Sequence, residues 1–165
     1  MNFVIEAAAP ADVPAIAAIL NDAIVNSVAA WREAPMTEEE MTAWFETRSR
    51  DFAVLVARGE GGDVLGYASY GAFRAYSGYR HTVEHSVYVR QDARGRGAGK
   101  ALLSRLVERA SAQQMHVMIG GLEAGNKASL KLHAALGFTE TARMPEVGRK
   151  FDRWLTLVFV QKILS

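Results

Sequence analysis

The stretch TVEHSVYVRQDARGRGAGKALLSRL, from Thr82 to Leu106, limits the fold of this chain more than any other. Its opening, residues 82–89, is rich in β-branched and aromatic side chains and predicts a strand. Gly95, Gly97 and Gly99 then stand at alternate positions, interleaved with Arg94 and Arg96. Beyond them Leu102, Leu103, Leu106, Val107 and Ala110 recur at helical spacing. Glycines let a backbone turn sharply and come close to a ligand without a Cβ in the way. The free N–H groups at a helix start, with the helix dipole behind them, attract an anion. The segment therefore predicts a phosphate cradle, with Glu84 on the strand that leads into it.

The rest of the chain supplies one domain around this unit. Its 165 residues suffice for a single core, and we read 1–165 as one domain. A formal net charge of +1 gives no basic field for a nucleic-acid partner. There are no cysteines, which excludes disulfides, thiolate metal sites and a cysteine nucleophile, and no metal site is expected. The N-terminal apolar run lacks a basic leader and is interrupted by Pro10, Asp12 and Pro14, so no signal peptide or membrane span is expected. A cytoplasmic location follows by default.

Taken in order, the pattern predicts strands at residues 3–6, 53–58, 64–73, 82–89, 116–122, 138–144 and 154–163. Helices are predicted from Asp12 as N-cap to about 25, from the capping box at Thr37 to about 49, from the glycine turn to about 112, and from Asn126 to 136. Gly137 is placed to end the last of these as its C′ glycine. The final two strands are expected to be separated by a loop containing Pro145 and Gly148. Early hairpins followed by a βαβ-like pass give an α/β class, a mixed sheet of about seven strands covered by about four helices.

The glycine turn fails two better-known phosphate motifs. A P-loop needs a glycine where this chain has Arg94 and a hydroxyl residue where it has Ala101. A dinucleotide fingerprint needs two residues between its last glycines, and only Ala98 separates Gly97 from Gly99. Taken alone, what remains is either a ligand cradle or a plain connector.

Arg94, Gly97 and Gly99 match a third pattern, in which glutamine or arginine is followed by two residues, glycine, one residue, and glycine or alanine. Further on, Asn126, Ser129, His133 and Gly137-Phe138 form a second motif, with Asn126 and His133 on one helix face. Together these resemble the GCN5-related N-acetyltransferase (GNAT) family. The TVE-x-SVYV strand, the LHAALGF helix end and the PEVGRKFDRWL tail are most similar to its phosphinothricin and methionine sulfoximine N-acetyltransferases. The resemblance implies a GNAT fold with mostly antiparallel strands and a splayed central pair. It implies acetyl-CoA as cosubstrate and a homodimer. It places the cofactor along Val87, Tyr88 and Val89, with the pyrophosphate on the backbone of Arg94, Gly95, Arg96, Gly97, Ala98, Gly99 and Lys100. Asn126 and Ser129 would border the pantetheine arm. The acceptor would be the α-amino group of a small amino acid or toxic analogue.

Amine acetylation needs a neutral amine, and an α-amino group is largely protonated near neutral pH. Glu84, which shares a strand face with Thr82, Ser86 and Tyr88, is the candidate base, acting directly or through water. The alternative is a salt bridge to Arg74 or Arg80. His133 stands where the family usually has a tyrosine acid; it is either a proton carrier or a histidine bonded only within the fold. His85 alternates away from Glu84 and is read as structural. Arg74 is expected to clamp the substrate carboxylate, with Tyr76, Tyr79 and Thr82 near it. Trp31 is read either as an apolar wall for the substrate side chain or as a hydrophobic plug. Rival readings keep the fold but take another amine (a polyamine, an aminoglycoside, a protein N-terminus), or bind acyl-CoA without turnover.

Overall fold

The structure is a computed structural model and describes residues 2–164. One seven-stranded sheet runs in the order β1-β2-β3-β4-β5-β7-β6. The strands are β1 (Phe3–Ala7), β2 (Val54–Gly59), β3 (Val64–Ala72), β4 (Thr82–Val89), β5 (Val117–Glu123), β6 (Thr139–Lys150) and β7 (Arg153–Ile163). Among the described residues only β4 and β5 pair in parallel, joined by the crossover helix α3 (Ala98–Ala112). The remaining helices are α1 (Val13–Asn26), α2 (Glu38–Asp51) and α4 (Lys127–Ala135).

Each sheet face has its own cover. Leu102, Leu103, Leu106 and Ala110 of α3 bury against Leu55, Ala57, Leu65 and Val83. On the other face Ile16 and Ile19 of α1 and Met41 and Phe45 of α2 bury against Val54, Val56 and Tyr67. The strand alternation of β2, β3 and β4 sorts side chains between these layers, which is why Glu84 and His85 end up on opposite faces.

Local signals set several boundaries. Thr37 Oγ1 accepts from the N–H of Glu40 (3.1 Å) and Glu40 Oε2 accepts from the N–H of Thr37 (2.8 Å), the expected capping box. Gly137 has φ +81° and follows the C-cap of α4, the left-handed stop expected of it. Asp12 does precede α1, but its side chain does not cap that helix. It accepts from the N–H of Ala9 (2.9 Å) and pairs with Arg58 (2.9 Å).

The C-terminal strands are longer than the sequence pattern suggests. Pro145 and Gly148 lie inside β6, not in a loop. The pairing register with β7 shifts between Met144 and Gly148, and Glu146 there has φ +56°. Proline is tolerated because β6 is an edge strand and the shift is bulge-like. The turn itself is made by Phe151 and Asp152, both at positive φ.

The feature that positions the site is a divergence. β4 and β5 pair only over Thr82, Val83, Glu84 and His85 against Val117, Met118, Ile119 and Gly120. β4 continues to Val89, while β5 follows β7 along its whole length to Glu123. The two central strands therefore splay beyond His85 and Gly120.

Candidate active site

The splay exposes backbone. Thr82 O accepts from the N–H of Phe73 (3.2 Å), and the N–H of Arg90 donates to Leu65 O (2.8 Å), so even-numbered positions of β4 turn toward β3. Alternation then turns the N–H and C=O groups of Val87 and Val89 toward the side that β5 has left. Val89 O accepts there from Nε of Arg94 (3.0 Å).

The glycine turn follows directly. Gly95 and Gly97 have φ +75° and +89°, so their left-handed backbone requires glycine even though a Cβ would meet open space. Gly97 is the N-cap of α3 and offers no side chain to its free amides. The first α3 bond is Ala101 N–H to Gly97 O (3.0 Å), so the N–H groups of Ala98, Gly99 and Lys100 precede the helical ladder. A Cβ on Gly99 would touch Leu132 and Val89 only at ordinary contact distances, 3.4 and 3.5 Å. The fold does not demand glycine at position 99. These residues fit a pyrophosphate. Across the gap, Asn126 caps α4 by accepting from the N–H of Ser129 (3.1 Å).

On the other face of β4, Glu84 and Tyr88 line a cavity of about 330 Å³ together with Leu20 and Ile24 of α1, Trp31 and Gly121. Sequence reading brought Glu84 and Trp31 forward separately, and the fold unites them. Burial raises the Glu84 carboxyl above its ordinary value; the charges of Arg74 and then Arg48 oppose that rise. The salt-bridge alternative finds no direct contact. Arg80 reaches Ser77 O (3.2 Å), and Arg74 lies 4.9 Å over the Phe73 ring. Arg74, Tyr76 and Thr82 lie outside the cavity lining, and Tyr76 is 79% exposed.

A wider groove of about 1050 Å³ runs between α1 and the β2–β3 turn. Its charges satisfy one another, Arg58 with Asp12 and Arg90 with Asp63 and Asp92. Its arginines are already engaged by these carboxylates, whereas the smaller cavity holds a half-buried carboxyl with a raised pKa, so the smaller cavity is the better chemical site.

His133 is buried rather than open to the gap. Its Nδ1 lies 2.7 Å from Ser129 O, and Nδ1 of His85 lies 2.8 Å from Ile119 O, so each Nδ1 carries its hydrogen. The two Nε2 atoms face each other at 2.8 Å, and closing that contact takes one proton shared between the rings. Burial works against it, pushing His85 down to about 4 with help from His133, and lowering His133 as well. The contact fixes where a shared proton sits, burial fixes how readily it leaves, and the pair titrates as one unit.

Arg48 was not legible from sequence. It extends from α2 over Gly71, the cross-strand partner of Glu84, and a Cβ on Gly71 would overlap its guanidinium. A glycine inside a strand is the available signal for such an approach. Removing this cation leaves burial less opposed, so the Glu84 pKa rises further. In Arg48→Met the acid limb of kcat/KM is expected to move to higher pH. A limb that stays in place would show that Arg48 does not act on Glu84.

A helix-start phosphate cradle beside a strand gap, with a half-buried carboxylate on the adjoining strand, defines a coenzyme-dependent group transferase. The chain belongs to the acetyltransferase (GNAT) family, whose model matches residues 16–138. It is an N-acetyltransferase with acetyl-CoA as cosubstrate. It is 52% identical over 162 residues to the L-methionine sulfoximine/L-methionine sulfone acetyltransferase of Pseudomonas aeruginosa, covering 98% of this chain and 94% of that one. The structure of yncA from Salmonella typhimurium with its cofactor acetyl-CoA superposes at a TM-score of 0.96, with 46% identity over 100% of this chain and 95% of that one. A phosphinothricin acetyltransferase from Sinorhizobium meliloti in complex with AcCoA gives 0.97, with 39% identity over 100% and 90%.

Proposed function

We propose that this enzyme acetylates the α-amino group of a small amino acid or toxic analogue of the methionine sulfoximine, methionine sulfone or phosphinothricin type. The observation that carries this reading is Glu84, half-buried with a raised pKa, in a small cavity on the strand that leads into the cradle. Names of similar proteins support the acceptor class.

In this scheme the backbone from Arg94 to Lys100 holds the pyrophosphate, Val87, Tyr88 and Val89 flank the acyl arm, and Asn126 and Ser129 border it. Acetyl-CoA supplies the acetyl thioester. Glu84 takes a proton from the substrate ammonium, directly or through water, and the freed amine attacks the thioester carbonyl. The C–N bond forms as the C–S bond breaks; the nitrogen sheds its second proton as the sulfur takes one up, and the proton held on Glu84 passes to solvent. His133 is the reserve for the proton that the departing sulfur needs; delivery takes release of its bond to His85 or to Ser129. We assign the substrate carboxylate to Arg74, with Tyr76 and Thr82 as further acceptor contacts, and the wall for the substrate side chain to Trp31; the first three stand outside the cavity lining, so they are reached only by the part of the acceptor that extends beyond it.

We also propose a cytoplasmic homodimer. Met144, Val147, Phe151 and Trp154 on and around the β6–β7 hairpin are exposed apolar groups suited to a second copy. Among the described residues no helix is long and apolar enough to cross a membrane.

Steady-state assays with methionine sulfoximine, methionine sulfone and phosphinothricin, beside a polyamine and an aminoglycoside, test the acceptor class. Acetyl-CoA-dependent product is expected with at least one of the first three. Turnover confined to the cationic amines, or binding of acetyl-CoA with no turnover, would refute it.

A further inference from the structure

The segment PEVGRKFDRWL takes no part in the catalytic scheme above, yet two of its residues fix one wall of the acceptor cavity. Gly148 and Lys150 are two apart on β6 and so share a strand face. Lys150 is 5% exposed. Its Nζ donates to Ile24 O, to Ser27 O (2.8 Å) and to Ala30 O. An ammonium has three donors, and all three are used on backbone carbonyls. Ile24 lies in the last turn of α1, where carbonyls lack helical partners and the helix dipole is negative. Lys150 thus ties the end of α1 to the segment that leads into Trp31.

Gly148 acts on Trp31 itself. A Cβ at Gly148 would overlap the six-membered ring of that tryptophan. On its other side Nε1 of Trp31 donates to Val28 O (2.9 Å). The ring is therefore fixed by its own loop, by the bare backbone of Gly148 and by the carbonyl of Ala30 held on Lys150. Ala30 and Trp31 line the cavity that contains Glu84.

We propose that Gly148 and Lys150 are specificity-determining positioning residues, which seat the Ala30–Trp31 wall and thereby set the length of acceptor side chain that the cavity admits. This rests on the acceptor reading given above. A Cβ at 148 drives the ring inward and shortens the cavity; loss of the ammonium frees the wall and blurs the selection.

The test uses full-length protein labelled with 5-fluorotryptophan, in which Trp31, Trp44 and Trp154 give three fluorine resonances; Trp31→Phe assigns the relevant one. Gly148→Ala and Lys150→Met are each expected to move the Trp31 resonance and leave that of Trp44 in place. Acceptor KM is expected to rise about tenfold or more, most for the longest acceptor in Gly148→Ala, with KM for acetyl-CoA changed less than about twofold. Gly148→Ala with Trp31→Phe, which gives the ring position more room, is expected to recover part of the loss. An unmoved Trp31 resonance in Gly148→Ala, or acceptor and acetyl-CoA KM rising together, overturns the proposal. Wild-type protein that acetylates no α-amino acid would instead defeat the acceptor reading, while the fluorine spectra would still decide whether these residues seat Trp31.

Discussion

Glu84→Gln is expected to lower kcat at pH 7 by about 10²- to 10⁴-fold, the usual range for a positioned general base. Glutamine keeps the shape and hydrogen-bonding capacity of the side chain but cannot take the amine proton. Acetyl-CoA binding is expected to persist, because the cradle from Arg94 to Lys100 is built on a different segment from the carboxylate. The deficit should narrow at a pH well above the pKa of the acceptor's α-amino group, where the amine is already neutral. An equal deficit at both pH values would give Glu84 a different role. The same variant should gain thermal stability. Burial raises the Glu84 pKa in the fold, so its ionisation opposes folding. The contribution of the protonated form is fully present below the ordinary value of 4.5 and is lost as pH rises through the folded value. Glu84→Gln should therefore melt higher than wild type at pH 7, and that gain should fade toward pH 4. A variant that melts lower at pH 7 would mean the carboxylate is a structural partner.

Gly120→Ala is expected to destabilise the fold strongly for a single added methyl. Gly120 pairs with His85 at the point where β4 and β5 part. A Cβ there would overlap Cε1 of His85 and come within 3.2 Å of Val160 Cγ2. Neither can give way. His85 is 6% exposed, with both ring nitrogens bonded, and Val160 is 3% exposed. Overpacking of this kind costs about 1–3 kcal/mol, and a domain of this size loses roughly 2–4 °C of Tm for each kcal/mol. Activity should fall as well, because the vertex of the gap would shift. Combining Gly120→Ala with His85→Ala should cost less than the sum of the two, since the ring that blocks the methyl is gone. Strict additivity in Tm would contradict the packing described.

What was readable in the sequence was local. The capping box at Thr37, the left-handed Gly137 and the glycine turn after β4 are each written within a few residues, because backbone amides and φ angles impose them there. The alternation that separates Glu84 from His85 is equally local. The misread element was β6. Pro145 and Gly148 look like loop residues, but an edge strand absorbs them through a register shift that depends on β7. The missed parts of the site arise from contacts between distant segments. Arg48 over Gly71, Lys150 on the carbonyls of α1, and His85 against His133 join residues with no shared periodicity. Trp31 and Glu84 could be named from sequence, but only the fold shows that α1 and the loop after it close one cavity around both.

The most direct measurement of the central claim is a crystal structure with CoA and methionine sulfone bound together. It is expected to place the pyrophosphate on the N–H groups between Arg94 and Lys100. The acceptor nitrogen should lie within about 3.2 Å of the Glu84 carboxylate, or one water away, with the side chain against Trp31. An acceptor seated in the groove of Asp12 and Arg58, or oriented with its amine turned away from Glu84, would contradict the account.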